Sequence, residues 1–90
     1  MKYRRSMKHR TRIDMMSQIL EIANGGGATR AKIQYKAFLS YVQLREFLRV
    51  LTENDLLSYD VEAQTFKTTE KGLGYLDAYN QIGDIVKALQ

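Results

Sequence analysis

Arg45 and Arg49 stand four residues apart, with Val42 and Gln43 just before them and Glu46 between. Residues at that spacing share one face of a helix, so two guanidinium groups would point the same way. A guanidinium donates paired, coplanar hydrogen bonds, a geometry that fits a phosphate or the O6/N7 edge of guanine. Each well-made guanine contact discriminates by about 1–3 kcal/mol. On the same face Glu46 can accept from a cytosine amino group and Val42 can meet a thymine methyl. The bland alternative is that Arg45, Glu46 and Arg49 form ordinary surface ion pairs worth about 0.2–0.5 kcal/mol each.

Other cations are placed for phosphates. Lys32 and Lys36 are also four apart, and Lys2, Arg4, Arg5, Lys8, Arg10 and Arg12 crowd the first twelve residues. That segment carries six of the fourteen basic side chains, leaving eight against all ten acidic ones in the rest of the chain. The net charge of +4 therefore belongs to an N-terminal arm, residues 1–10, running into Arg12. Blocks of like charge are either solvated tails or arms that bind nucleic acid. Arg4, Arg5, Lys8, Arg10 and Arg12 are the candidate phosphate contacts of the arm, beside Lys32 and Lys36.

Catalysis finds little to work with. His9 is the single histidine and lies in the basic arm, and there is no cysteine. Asp14, Glu21, Glu46 and Glu53 are spaced like solvent-facing helix residues, without the His or Cys companions that a metal site needs. The sequence thus predicts no enzyme, no metal, no cofactor and no small-molecule substrate. Glycines 25–27 do not form a phosphate-binding loop either, because G-x-x-x-x-G-K-[ST] is absent and no strand precedes them.

The elements that must position the arginines follow from capping signals and periodicity. Thr11 with Asp14 has capping-box spacing, and Ile13, Met16, Leu20 and Ala23, widened by Ile19 and Ile22, make the apolar stripe of a first helix. Asn24 and the glycines end it. Thr29 caps a short second helix to about Ala37, with Ile33 and Ala37 inward. Only a few residues later Ser40 and Gln43 form another capping box, and Tyr41, Leu44, Leu48 and Leu51, flanked by Phe47, give the third helix its inner face. Two helices joined so tightly cross steeply.

Asn54 and Asp55 stop the third helix, both types tolerating left-handed backbone. Leu56–Asp60 and Thr65–Thr68 read as two strands joined by Val61–Gln64, with Leu57, Tyr59 and Phe66 on the buried face. Helical pattern resumes near Thr69. There Tyr75, Tyr79, Ile82, Val86 and Leu89 step by four, three, four and three, the seam of a helix that pairs with a partner. Gly74 and Gly83 weaken that helix, which must pack on something. It can dock through Leu73, Leu76 and Ile85 and leave the seam to a second copy of the chain; alternatively, every apolar residue folds back onto one core.

Ninety residues allow one domain, in which only about 60% of the unfolded surface can be buried. Without cysteine no disulfide can help, which suits a reducing cytoplasm, and association with a second copy becomes the natural source of extra stability. No apolar run approaches the roughly 20 residues needed to span a bilayer, and no signal-peptide pattern follows the basic start. A soluble, intracellular protein is expected.

Helix, helix, tight turn, helix, hairpin is the winged helix-turn-helix order, whose third helix can enter the DNA major groove. The stretches RIDMMSQILEIANGGGATRAKI, YKAFLSYVQLREFLRVLTENDLL and FKTTEKGLGYL resemble the archaeal winged-helix family of predicted transcriptional regulators, which includes small coiled-coil-dimerised chromatin proteins. The resemblance spans roughly residues 12–80 and is most specific at Leu39-Ser40-Tyr41 with Gln43-Leu44, and at Thr69-Glu70-Lys71-Gly72. It implies a mainly α (α+β) fold: a winged helix-turn-helix domain over 11–68 and a long C-terminal helix over 69–90 that joins two copies. It further implies duplex DNA as partner. Asp55, Ala31 and Phe38 depart from the family pattern, where a glycine, a threonine and a small or polar residue are usual. An exposed Phe38 would mark a contact surface peculiar to this member, and a buried one merely altered packing.

Expected, then, is a cytoplasmic, nucleoid-associated regulator that binds DNA through Val42, Gln43, Arg45, Glu46 and Arg49. A nonspecific chromatin protein using the same contacts, and a module that binds another polypeptide, are the alternatives. The acidic residues Asp60 and Glu62 at the hairpin tip would repel phosphate, leaving Gln64 and Lys67 as its only plausible contacts.

Overall fold

A computed structural model describes residues 10–89; the expectations for Arg4, Arg5, Lys8 and His9 lie outside them. Thr11 opens helix α1, Arg12–Ala23, with its hydroxyl accepting from Asp14 N at 3.0 Å while the Asp14 carboxylate accepts from Thr11 N at 3.0 Å. Such caps satisfy backbone donors that the helix itself cannot. The chain then turns through Gly25 and Gly27, both with φ near +90°. Gly27 is also needed for space, since a Cβ there would stand 3.1 Å from Lys67 Cγ and 3.2 Å from Phe66 O.

Helix α2, Arg30–Ala37, starts from the Thr29 cap and ends at Phe38, whose backbone is left-handed with φ 54° and ψ 54°. Ser40 and Gln43 form the second capping box and open helix α3, Tyr41–Glu53. Asn54 closes it, and Asp55 supplies the left-handed residue with φ 63°. Strands β1, Leu57–Asp60, and β2, Thr65–Thr68, pair antiparallel with Tyr59 opposite Phe66. The tip is ordered by Asp60, whose carboxylate accepts from Glu62 N and Ala63 N at 3.0 and 3.1 Å. Helix α4 runs Glu70–Leu89. The mainly helical fold with a two-stranded hairpin is the one expected.

Ile19, Leu20 and Ala23 of α1, Ile33 and Ala37 of α2, and Leu44, Phe47, Leu48 and Leu51 of α3 meet Leu57 and Phe66 of the hairpin in one core. Two residues of the predicted stripes lie outside it. Ile13 and Tyr41 are more than half exposed, because each sits one turn before the first deeply buried position of its helix, past the rim of the core. Tyr59 is also partly exposed, its ring packed at 4.7 Å on Phe66. Ala28 exchanges two backbone hydrogen bonds with Phe66, at 2.9 and 2.8 Å, tying the α1–α2 loop to the hairpin as a one-residue third strand.

The Thr69–Gly72 segment locks α4 to the end of α3. Thr69 N donates to Leu56 O at 3.1 Å, Thr69 Oγ1 donates to Asp55 O at 2.6 Å and Lys71 Nζ donates to Asn54 O at 3.0 Å. Three consecutive carbonyls just past the end of α3 thus gain donors. Gly72 makes this approach possible, for any Cβ would collide with Leu56 O and stand 2.8 Å from Thr68 Cγ2. Beyond this clamp α4 buries Leu76 and half-buries Tyr75 and Tyr79, then leaves the body. Residues 80–89 are exposed on every side.

Candidate nucleic-acid interface

The inward turn of Leu44, Phe47, Leu48 and Leu51 leaves Val42, Arg45, Glu46 and Arg49 on the solvent side of α3. Val42 is 71% exposed, so an apolar side chain stands in water beside the charges. Arg45 lies over the Tyr41 ring at 5.8 Å and has no carboxylate partner among the described residues. Arg49 differs. One of its terminal nitrogens is 3.2 Å from Glu53 and the other 3.9 Å from Glu46. Glu46 is also 3.5 Å from Arg12, whose guanidinium covers the Phe47 ring at 5.0 Å. Arg12, Glu46, Arg49 and Glu53 therefore form an alternating chain of charges along the exposed face.

This face makes one wall of an open groove of roughly 630 Å³, and the hairpin makes the other. Arg30, the first residue of α2, lies on the hairpin wall, 5.5 Å from the Tyr59 ring and 5.1 Å from Phe66. A guanidinium held against two aromatic faces keeps its edge nitrogens available to an anion. Four guanidinium groups against two carboxylates leave the surface from Arg12 to Arg30 positive. Sequence reasoning places Arg30 outside on the second helix with Lys32 and Lys36 but assigns it no contact, because its partners lie 29 and 36 residues away along the chain. Lys32 and Lys36 are exposed on α2, clear of this groove's lining.

Three predicted contacts are occupied otherwise. Arg10 is docked: its guanidinium donates to Gln18 Oε1 and to the carbonyls of Ala37 and Phe38. It satisfies acceptors at the C-terminal, negative end of α2, so it acts as a staple of the fold rather than as part of a phosphate-binding arm. Gln43 is committed to the cap, its Oε1 accepting from Ser40 N at 3.0 Å and its Nε2 turned toward Met15 Sδ. It reads no base in this arrangement. Arg12 is exposed, but its charge is shared with Glu46.

The predicted seam on α4 is divided. Tyr75 packs against the core, and the Tyr79 hydroxyl donates to the Asp14 carboxylate. That hydrogen bond, then the Thr11 backbone donor, holds Asp14 below the usual carboxylate range, and it pushes the Tyr79 phenol up to about 12. Ile82, Val86 and Leu89 remain exposed, and Ile85, assigned to docking by the sequence pattern, is exposed beside them. Phe38 and Tyr35 are exposed at the α2–α3 turn, 67% and 80% respectively. The hairpin tip carries Asp60 and Glu62 outward. No helix among the described residues is long and apolar enough to cross a membrane, and no group of three or more His, Cys, Asp or Glu among them could hold a metal ion.

The family model described as winged helix-turn-helix matches residues 9–87. No curated protein matches the chain.

Proposed function

From the premise that this chain belongs to the winged helix-turn-helix family, we propose that it binds duplex DNA as a homodimer and regulates transcription, in the manner of the archaeal regulators its sequence resembles. The carrying observation is the exposed face of α3, where Val42, Arg45 and Arg49 stand outward beside a groove that also presents Arg30. Placed in the major groove, that face offers Arg45 to a guanine edge and Val42 to a thymine methyl. Phosphates flanking the helix fall to Arg30, Lys32 and Lys36, and those farther out to Arg4, Arg5 and Lys8. The acidic tip of the hairpin makes the wing a support of Arg30 rather than a reader of DNA. Cytoplasmic, nucleoid-associated location goes with this reading.

The partner of α4 in this reading is a second copy. Ile82, Ile85, Val86 and Leu89 give the projecting half an apolar stripe, and a 90-residue chain has little core to spare for it. Two such stripes packed together would hold two α3 helices for successive half-sites.

Selection of bound fragments from sheared genomic DNA by the purified protein, with its mass in solution recorded, tests this reading. Recovery of a shared motif by a dimer is expected. Fragments without a motif, bound within about tenfold of random duplex, would instead indicate chromatin architecture, since specific binders discriminate by about a thousandfold or more. A protein-binding role is favoured by the exposed Tyr35 and Phe38 and the acidic tip. It predicts that reversing the charge of Arg45 and Arg49 leaves function intact, whereas DNA binding should collapse.

A further inference from the structure

Glu46 occupies the middle of the α3 face and touches the cations on both sides of it, Arg12 at 3.5 Å and Arg49 at 3.9 Å. Glu53 takes the remaining terminal nitrogen of Arg49 at 3.2 Å. These side chains are about half exposed, between 46% and 62%, so the pairs exchange partners readily. A phosphate that approaches Arg12 or Arg49 meets the Glu46 carboxylate beside it. To capture Arg12 or Arg49 it must displace Glu46 and leave that carboxylate without a partner beside another anion. Arg45 is the single arginine of α3 that escapes this competition among the described residues.

A base edge changes the balance. An amino group of cytosine or adenine in the major groove donates to Glu46 in place of the two guanidinium groups. Arg12 is then released toward a phosphate, and the Arg49 nitrogen that faced Glu46 toward a guanine edge, while its other terminal nitrogen stays with Glu53. The duplex that presents such a donor gains three contacts together; one that does not must break the network without replacement.

Resting on the DNA-binding reading above, we propose that Glu46 is a specificity-determining residue: it holds Arg12 and Arg49 back from the DNA backbone and yields them only to a duplex that places a base amino group against its carboxylate. The positive face is thereby made selective by an acid at its centre, through discrimination against wrong sites as much as attraction to the right one.

The test compares the wild type with Glu46→Gln on two labelled duplexes at several salt concentrations: a random-sequence pool and the fragment recovered by genomic selection. Glutamine keeps the length of the side chain and removes the charge, and thermal melting verifies that the variant is folded. Glu46→Gln should bind random duplex several-fold tighter, with a logarithmic salt slope more negative by about 1–2 as Arg12 and Arg49 gain phosphates. Its preference for the selected fragment should fall as random duplex tightens, and Glu46→Met, which removes the acceptor as well as the charge, should lower that preference by about tenfold or more, the scale of one lost base contact. Glu53→Gln, which relieves Arg49 alone, should move both quantities less. The inference is overturned if the wild type discriminates and Glu46→Gln leaves its preference and salt slope unchanged. It is overturned also if the wild type binds both duplexes alike. A wild type that binds no duplex at all removes the DNA-binding reading itself, and the inference with it.

Discussion

The Tyr79 hydroxyl donates a hydrogen bond to the Asp14 carboxylate across 65 residues of sequence, joining the exit of α4 to the first turn of α1. It ties the last half-buried residue of α4 to α1, where the exposed half of the helix begins. Tyr79→Phe should cost about 1 kcal/mol at neutral pH, less than the roughly 1.5–3 kcal/mol of a hydrogen bond to a charged group because the site is only half buried. Asp14 is depressed below its ordinary 3.8 and Tyr79 is raised from 10.0 to about 12. The contribution is therefore full between those ordinary values. It is lost on one side as acid protonates Asp14 below 3.8, and on the other as alkali ionises Tyr79 between 10.0 and about 12. Denaturant unfolding of both proteins across pH should show their difference vanish at each extreme.

Gly72→Ala should destabilise the domain by about 1–3 kcal/mol, since its methyl would enter the Leu56 carbonyl and force α4 off the end of α3. Gly74→Ala meets nothing within 4 Å and should gain about 1 kcal/mol from helix propensity. For a domain of this size the two melting temperatures should move in opposite directions by about 4–8 °C per kcal/mol.

Arg10 and the residues before it should separate cleanly in experiment. Arg10→Ala removes donors from two carbonyls at the end of α2 and should lower stability by about 1 kcal/mol. Removing residues 1–9 takes away Lys2, Arg4, Arg5 and Lys8. In the DNA-binding reading it should make the salt slope less negative by up to about 3–4, at about 0.9 per phosphate contact. Melting curves and salt titrations of the two variants check this.

Phe38 holds a left-handed backbone with its ring 67% exposed, a conformation that costs a non-glycine residue about 1–3 kcal/mol. Phe38→Gly removes that strain at small loss of packing and should stabilise the isolated protein by about 1 kcal/mol after the entropy of glycine is subtracted. Chemical denaturation measures it directly.

Val86→Glu and Ile82→Glu place a charge on the projecting half of α4. If a second copy covers that stripe, either change should halve the mass measured by light scattering while the helical circular dichroism of the body persists. A mass unmoved by both would place the pairing surface elsewhere.

The sequence by itself determined the elements and, apart from Ile13, Tyr41 and Ile85, the inner faces of the helices. Thr11 with Asp14, Thr29, Ser40 with Gln43, and Thr69 act on backbone groups three residues away, so their spacing is visible in the chain. The leucines of α3 recur at the helical period for the same local reason. It also placed Arg45 and Arg49 on the outer face correctly. Only the tertiary structure decided what the long polar side chains do. Arg10 reaches Ala37 and Phe38, Arg12 reaches Glu46, Arg30 reaches Tyr59 and Phe66, and Tyr79 reaches Asp14. No period announces such partners, because a flexible side chain takes whichever donor or acceptor the folded backbone brings within its length. The single-residue pairing of Ala28 with Phe66 is hidden likewise, one residue being too short to show alternation.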